Sequence, residues 1–205
     1  MKLFLASAAD KTIHLLSELS PTTGKKVLFV TNAADPYPGP HFWVENDRSR
    51  FIELGYQLEE INLRNVTSES FQQHLSDADI LHICGGSVYY ITNLIRERGL
   101  ENNIMDAITN DEIVYTGTSA GAIIVSKNIK AFSYDEEETE YIQKIPDHRG
   151  LGLIDFTVVP HCNNPDFIPG HEKMVANTPN DPTPLIFVDD DWAVWVDGEG
   201  IKIMS

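Results

Sequence analysis

With 205 residues, 42% of them hydrophobic and 22% charged, the chain has the size and composition of one folded domain and not of a disordered segment. Fifteen basic against 31 acidic residues leave a net charge of −16. That field repels polyphosphates and anionic lipid surfaces, so neither nucleic acid nor membrane is expected as a partner. Acidity of this kind suits a chain kept soluble in the cytoplasm.

In chain order, short apolar runs alternate with amphipathic stretches, the pattern of a repeating βα unit. The opening run, residues 2–5, reads as a strand and is too short for a signal-peptide core. Helical spacing over 11–20 puts Ile13, Leu16 and Leu19 near one face. Strands are expected at 26–31, 57–63, 80–83 and 113–116. Helices are expected at 41–54 (after Pro40 and ending at Gly55), 68–76 and 89–98 (before Gly99). These strands are short and mostly apolar, which suits a parallel sheet covered on both faces. Beyond residue 160 the pattern changes: three apolar runs, 185–188, 192–196 and 201–204, are separated by Asp189-Asp190-Asp191 and Asp197-Gly198-Glu199-Gly200. These suggest a C-terminal antiparallel meander, and the three aspartates are read as a solvated turn. No linker or repeat divides the chain, so one domain is expected. Two cysteines, Cys84 and Cys162, are too few for a disulfide framework or a structural zinc site, and both are read as reduced packing residues.

The strongest chemical signal is Ile113-Val114-Tyr115-Thr116-Gly117-Thr118-Ser119-Ala120-Gly121-Ala122. An apolar strand runs into Gly-x-Ser-x-Gly and a helical stretch follows, which is the context of a nucleophile elbow. Small residues around Ser119 let strand and helix pass closely, and the Ala120 N–H lies beside the hydroxyl as a candidate oxyanion donor. A serine needs a base to act as nucleophile. Of seven histidines, His161 is the best placed: it ends the apolar run Phe156-Thr157-Val158-Val159-Pro160, at the strand end where open α/β sheets carry their sites. His82, inside a strand, reads as a packed core residue. Orienting the imidazole requires a carboxylate, sought in Tyr134-Asp135-Glu136-Glu137-Glu138-Thr139-Glu140, with no single member singled out by the residues alone. Gly85 and Gly86, after the strand at 80–83, offer backbone amides that would complete an oxyanion hole.

The hexapeptide from Gly117 to Ala122 resembles the elbow of the peptidase E family, which includes aspartyl dipeptidases and cyanophycinases. Gly85-Gly86, Gly150-Leu151-Gly152-Leu153 and Pro160-His161 match further landmarks in the same order. The resemblance implies a three-layer α/β fold with a flavodoxin-like, mostly parallel sheet, related to class I glutamine amidotransferases with serine replacing their cysteine. It implies a serine-type peptidase that cleaves short peptides through an acyl-enzyme, with no metal and no cofactor. By position, Ser119 is the nucleophile, His161 the base, and Gly85, Gly86 and Ala120 the oxyanion donors. For the acid it favours Glu137, then Asp135. Two departures stand out. The asparagine usual after the paired glycines is Ser87 here, and no arginine follows His161, the last being Arg149. An aspartyl dipeptidase holds its substrate's carboxylate with a downstream arginine, so dependence on an N-terminal aspartate is not expected. The rival expectations are an esterase of the larger α/β-hydrolase fold and a binding or sensor protein without turnover.

Overall fold

The computed structural model describes residues 1–19, 25–135, 138–178 and 181–205. Its strands are β1 (Lys2–Ala6), β2 (Lys26–Val30), β3 (Gln57–Ile61), β4 (Ile80–Ile83), β5 (Val114–Thr118), β6 (Thr157–Val159), β7 (Leu185–Phe187), β8 (Ala193–Asp197) and β9 (Gly200–Met204). The helices are α1 (Ala9–Thr12), α2 (Leu16–Leu19), α3 (Phe42–Glu53), α4 (Ser68–Ser76), α5 (Val88–Glu97), α6 (Glu101–Thr109), α7 (Ala120–Ile123), α8 (Thr139–Ile142) and α9 (Ile168–Asn177).

One sheet runs in the order β3-β2-β4-β5-β1-β8-β9. Its first five strands are mutually parallel; β8 pairs antiparallel with β1, and β9 antiparallel with β8. The α/β fold with a mostly parallel sheet and antiparallel C-terminal strands is therefore as expected. The inner strands are apolar because both sheet faces are covered: every residue of β4, and all but the first of β1 and β2, is buried. The edge strand β3 carries exposed Glu59 and Glu60, charges that discourage further pairing. Only two of the three expected C-terminal strands join this sheet. The first of them, β7, pairs in parallel with β6 as a separate two-stranded sheet. Helix α6 was not among the expected elements, although Ile104, Ala107 and Ile108 recur at helical spacing and are all buried. Among the described residues, no helix is long and apolar enough to cross a membrane.

The topology gathers chain ends at one place. Residues following β4, β5 and β1, three adjacent parallel strands, emerge at the same edge of the sheet. Because β8 runs the other way, the segment before it arrives at that edge too, with Ala193 opposite Ala6. Parallel pairing of β6 with β7, Val159 opposite Phe187, carries residues just past both strands to a common point.

Candidate active site

Ser119 stands between β5 and α7 with φ 48° and ψ −108°, a conformation outside the regions that L-residues ordinarily adopt. Such a turn is possible because the flanking residues are small. A Cβ on Gly121 would lie 2.0 Å from the Ile83 carbonyl oxygen, so helix α7 sits directly against β4 with no room for a side chain. The outcome is a hydroxyl presented at the sheet edge, as the elbow motif requires. Ala120 opens α7, where backbone N–H groups have no earlier turn to bond to.

His161 follows β6 by two residues, also at positive φ, 62°. Its Nε2 lies 3.0 Å from Ser119 Oγ and its Nδ1 lies 2.6 Å from Asp190 Oδ1. An ionised carboxylate only accepts hydrogen bonds, so Nδ1 carries the proton and donates it to Asp190. Nε2 is then left with its lone pair toward Ser119, which donates its hydroxyl proton. The Phe167 ring lies against the imidazole, with centroids 4.2 Å apart.

Asp190 is held from several sides. Ser7, just past β1, donates its hydroxyl to Asp190 Oδ1 at 2.9 Å and accepts the His161 backbone N–H at 2.8 Å. Asn163 Oδ1 accepts the Asp190 N–H at 3.0 Å, and Lys11 Nζ lies 3.6 Å from Asp190 Oδ2. Burial opposes ionisation of this carboxyl. The hydrogen bonds from His161 and Ser7 and the positive charge of Lys11 outweigh it and hold the group below its ordinary value.

The carboxylate bonded to His161 is Asp190, which lies outside the segment after the elbow helix where the acid was expected. Glu137 lies outside the described residues. Asp135 is half-buried beside Glu138, and Nδ1 is occupied by Asp190. Among the described residues of that segment the buried acid is Glu138, which faces elsewhere: it accepts the Val88 and Tyr89 N–H groups at 3.1 and 2.8 Å, at the N-terminus of α5. Burial pushes its carboxyl up to about 7, against hydrogen bonds from Ser87 and from those amides. Asp189-Asp190-Asp191 is a turn, as read, but not a solvated one throughout. The Asp191 side chain is 71% exposed and that of Asp190 only 13%.

Gly85 and Gly86 complete the surroundings. A Cβ on Gly85 would stand 3.4 Å from Ser119 Cβ. At Gly86, φ is 149° and a Cβ would lie 2.1 Å from the Ala33 carbonyl oxygen, so only glycine fits. The Trp43 indole N–H donates to the Gly85 carbonyl at 3.1 Å. Across a trans peptide the next N–H points the opposite way, so this bond also orients the Gly86 amide. Ser87, where asparagine was expected, caps α5: its hydroxyl accepts the Tyr90 N–H at 3.0 Å. His82 is fully buried against Phe29 and bonded to Thr116 at 2.9 Å, the packed role expected of it. Ser7, Ser119, His161, Asp190 and both glycines line one cleft of about 470 Å³.

This arrangement has a family. The model of peptidase family S51 matches residues 3–204, nearly the whole chain. The chain belongs to peptidase family S51. Uncharacterized peptidase Lmo0363 of Listeria monocytogenes is 28% identical over 175 residues, covering 85% of this chain and 84% of its own. Uncharacterized peptidase PM1590 of Pasteurella multocida is 26% identical over 97% of this chain and 94% of its own, and peptidase E of Shewanella denitrificans is 26% identical over 96% and 81%. A crystal structure of a candidate peptidase E from Listeria monocytogenes EGD-e superposes with a TM-score of 0.88 over 99% of this chain and 97% of its own, at 24% identity, a likeness of fold. As a family S51 member the protein is a serine-type peptidase of the peptidase E kind.

Proposed function

We propose that this protein hydrolyses short peptides through an acyl-enzyme formed on Ser119, with His161 as base and Asp190 as the carboxylate that orients it. The observation that carries this reading is the continuous relay from Ser119 Oγ through both ring nitrogens of His161 to Asp190, with spacings of 3.0 and 2.6 Å. His161 Nε2 takes the hydroxyl proton as Ser119 Oγ attacks the scissile carbonyl carbon. Asp190, kept ionised by its hydrogen bonds, stabilises the imidazolium that results. Negative charge on the carbonyl oxygen is met by backbone N–H groups of Ala120 and the Gly85–Gly86 segment. The tetrahedral adduct collapses as His161 returns the proton to the leaving amine. Water then repeats the sequence on the acyl-serine, releasing the acid product and restoring the enzyme.

Two measurements test this together. A fluorophosphonate probe labels an activated serine and not a structural one, so wild-type protein labels at Ser119 and the Ser119→Ala variant does not. A dipeptide and tripeptide library with mass analysis of the products then identifies the bond cleaved. Absence of labelling in folded wild-type protein would sink the mechanism and favour a binding role without turnover.

A further inference from the structure

The cleft beside Ser119 has walls of a definite chemistry. Tyr37, Phe42 and Trp43 cluster on one side, with Trp43 6.1 Å from the Tyr37 ring and 5.2 Å from the Phe42 ring, each pair edge to face. Phe167 lines the cleft against His161. Phe42 is 70% exposed and Phe167 44%, an unusual cost in solvated aromatic surface at the mouth of a catalytic cleft. The wall also reaches the reacting atoms. A Cβ on Gly85 would be 3.6 Å from Trp43 Cδ1 and 3.4 Å from Ser119 Cβ, so one glycine separates indole from nucleophile. A side chain resting on this wall therefore belongs to a residue flanking the scissile bond.

Charge within the cleft points the same way. Asp10, Asp47 and Asp190 line it, and Lys11 is the cation among its lining residues. Lys11 is engaged by Asp190 at 3.6 Å and Asp191 at 3.7 Å. Burial and then the Asp47 carboxylate raise the Asp10 carboxyl above its ordinary value, a sign that another negative charge is unwelcome there. No arginine is among the described residues that line it. Arg48 is bound by Glu45 and Glu60, and Arg149 lies 3.8 Å from Glu101. A substrate carboxylate would enter without the paired cation that its burial requires.

We infer that the substrates are peptides with a large apolar or aromatic side chain at a residue flanking the scissile bond, seated against Trp43 and Phe42, and that acidic side chains are rejected there. This rests on the hydrolytic reading of Ser119, and the test separates the two. Matched peptides X-Ala and Ala-X, with X as Phe, Leu, Ala, Asn or Asp, are assayed on enzyme whose active fraction is counted by fluorophosphonate labelling. At one of the two positions Phe or Leu exceeds Ala in kcat/KM by about tenfold or more, and Asp is the poorest. Phe42→Ser, at an exposed position, lowers the Phe-over-Ala ratio by about fivefold or more without shifting the thermal midpoint. Labelled enzyme that treats Phe and Ala alike, that prefers Asp, or whose Phe42→Ser variant keeps the wild-type ratio overturns the specificity and leaves the mechanism standing. Protein that neither labels nor cleaves any peptide overturns both.

Discussion

Ser119 and His161, 42 residues apart in the chain, both hold positive φ, 48° and 62°, and meet with Oγ 3.0 Å from Nε2. Two non-glycine residues in sparsely populated backbone conformations, bonded to each other, mark strain kept at the proposed reaction centre. Ser119→Ala removes the proposed nucleophile without disturbing the packing around it. Activity falls by about 10³-fold or more while the thermal midpoint stays close to wild type. Peptide hydrolysis at the wild-type rate by the purified variant would refute the assignment.

Asp190→Asn keeps the shape of the side chain but loses the charge that holds the His161 tautomer. A fall in kcat of about 10²-fold to 10⁴-fold is expected. Since Nδ1 is already occupied, Asp135→Asn and Glu137→Gln each change kcat by less than about tenfold. Steady-state kinetics on the three variants decide the matter, and the opposite ranking returns the acid to the segment after the elbow.

Trp43→Phe preserves a ring against the cleft and deletes the N–H that holds the Gly85 carbonyl. The Gly86 amide loses its fixed direction, which matters most when charge develops on the carbonyl oxygen. A drop of about tenfold in kcat with KM nearly constant is expected, whereas Trp43→Ala raises KM as well. Equal effects of both variants on KM alone would remove the positioning role.

Glu138 makes stability depend on pH. Burial raises its carboxyl from 4.5 to about 7, so between those values the folded chain retains a proton that the unfolded chain has released. The stabilisation is complete below the lower value and is lost as pH climbs through the upper one. Glu138→Gln does not titrate, so the wild type loses stability relative to this variant between about pH 5 and pH 8. Urea midpoints at both pH values measure it; a wild-type-to-variant difference that does not change with pH contradicts the argument.

Local features were legible from the chain alone. Apolar runs located the inner parallel strands, because strands covered on both faces leave no polar alternation, whereas the edge strand β3 keeps exposed charges. The small residues around Ser119 announced an elbow, since nothing larger passes between β5 and α7. His161 stood out by ending an apolar run. What remained hidden depended on which strands pair. Asp189-Asp190-Asp191 looks like any solvated turn until β7 pairs in parallel with β6 and β8 runs antiparallel to β1, which together bring Asp190 to His161 Nδ1. Ser7 is one serine after a strand until β1 lies beside β5. The acidic stretch at 134–140 misled for the same reason: an acid's role is set by what it faces, and Glu138 faces the N-terminus of α5. Residue types and short-range spacing determine strands, turns and candidate nucleophiles. Register and strand order decide which side chains come within hydrogen-bonding distance, because those contacts join residues far apart in sequence.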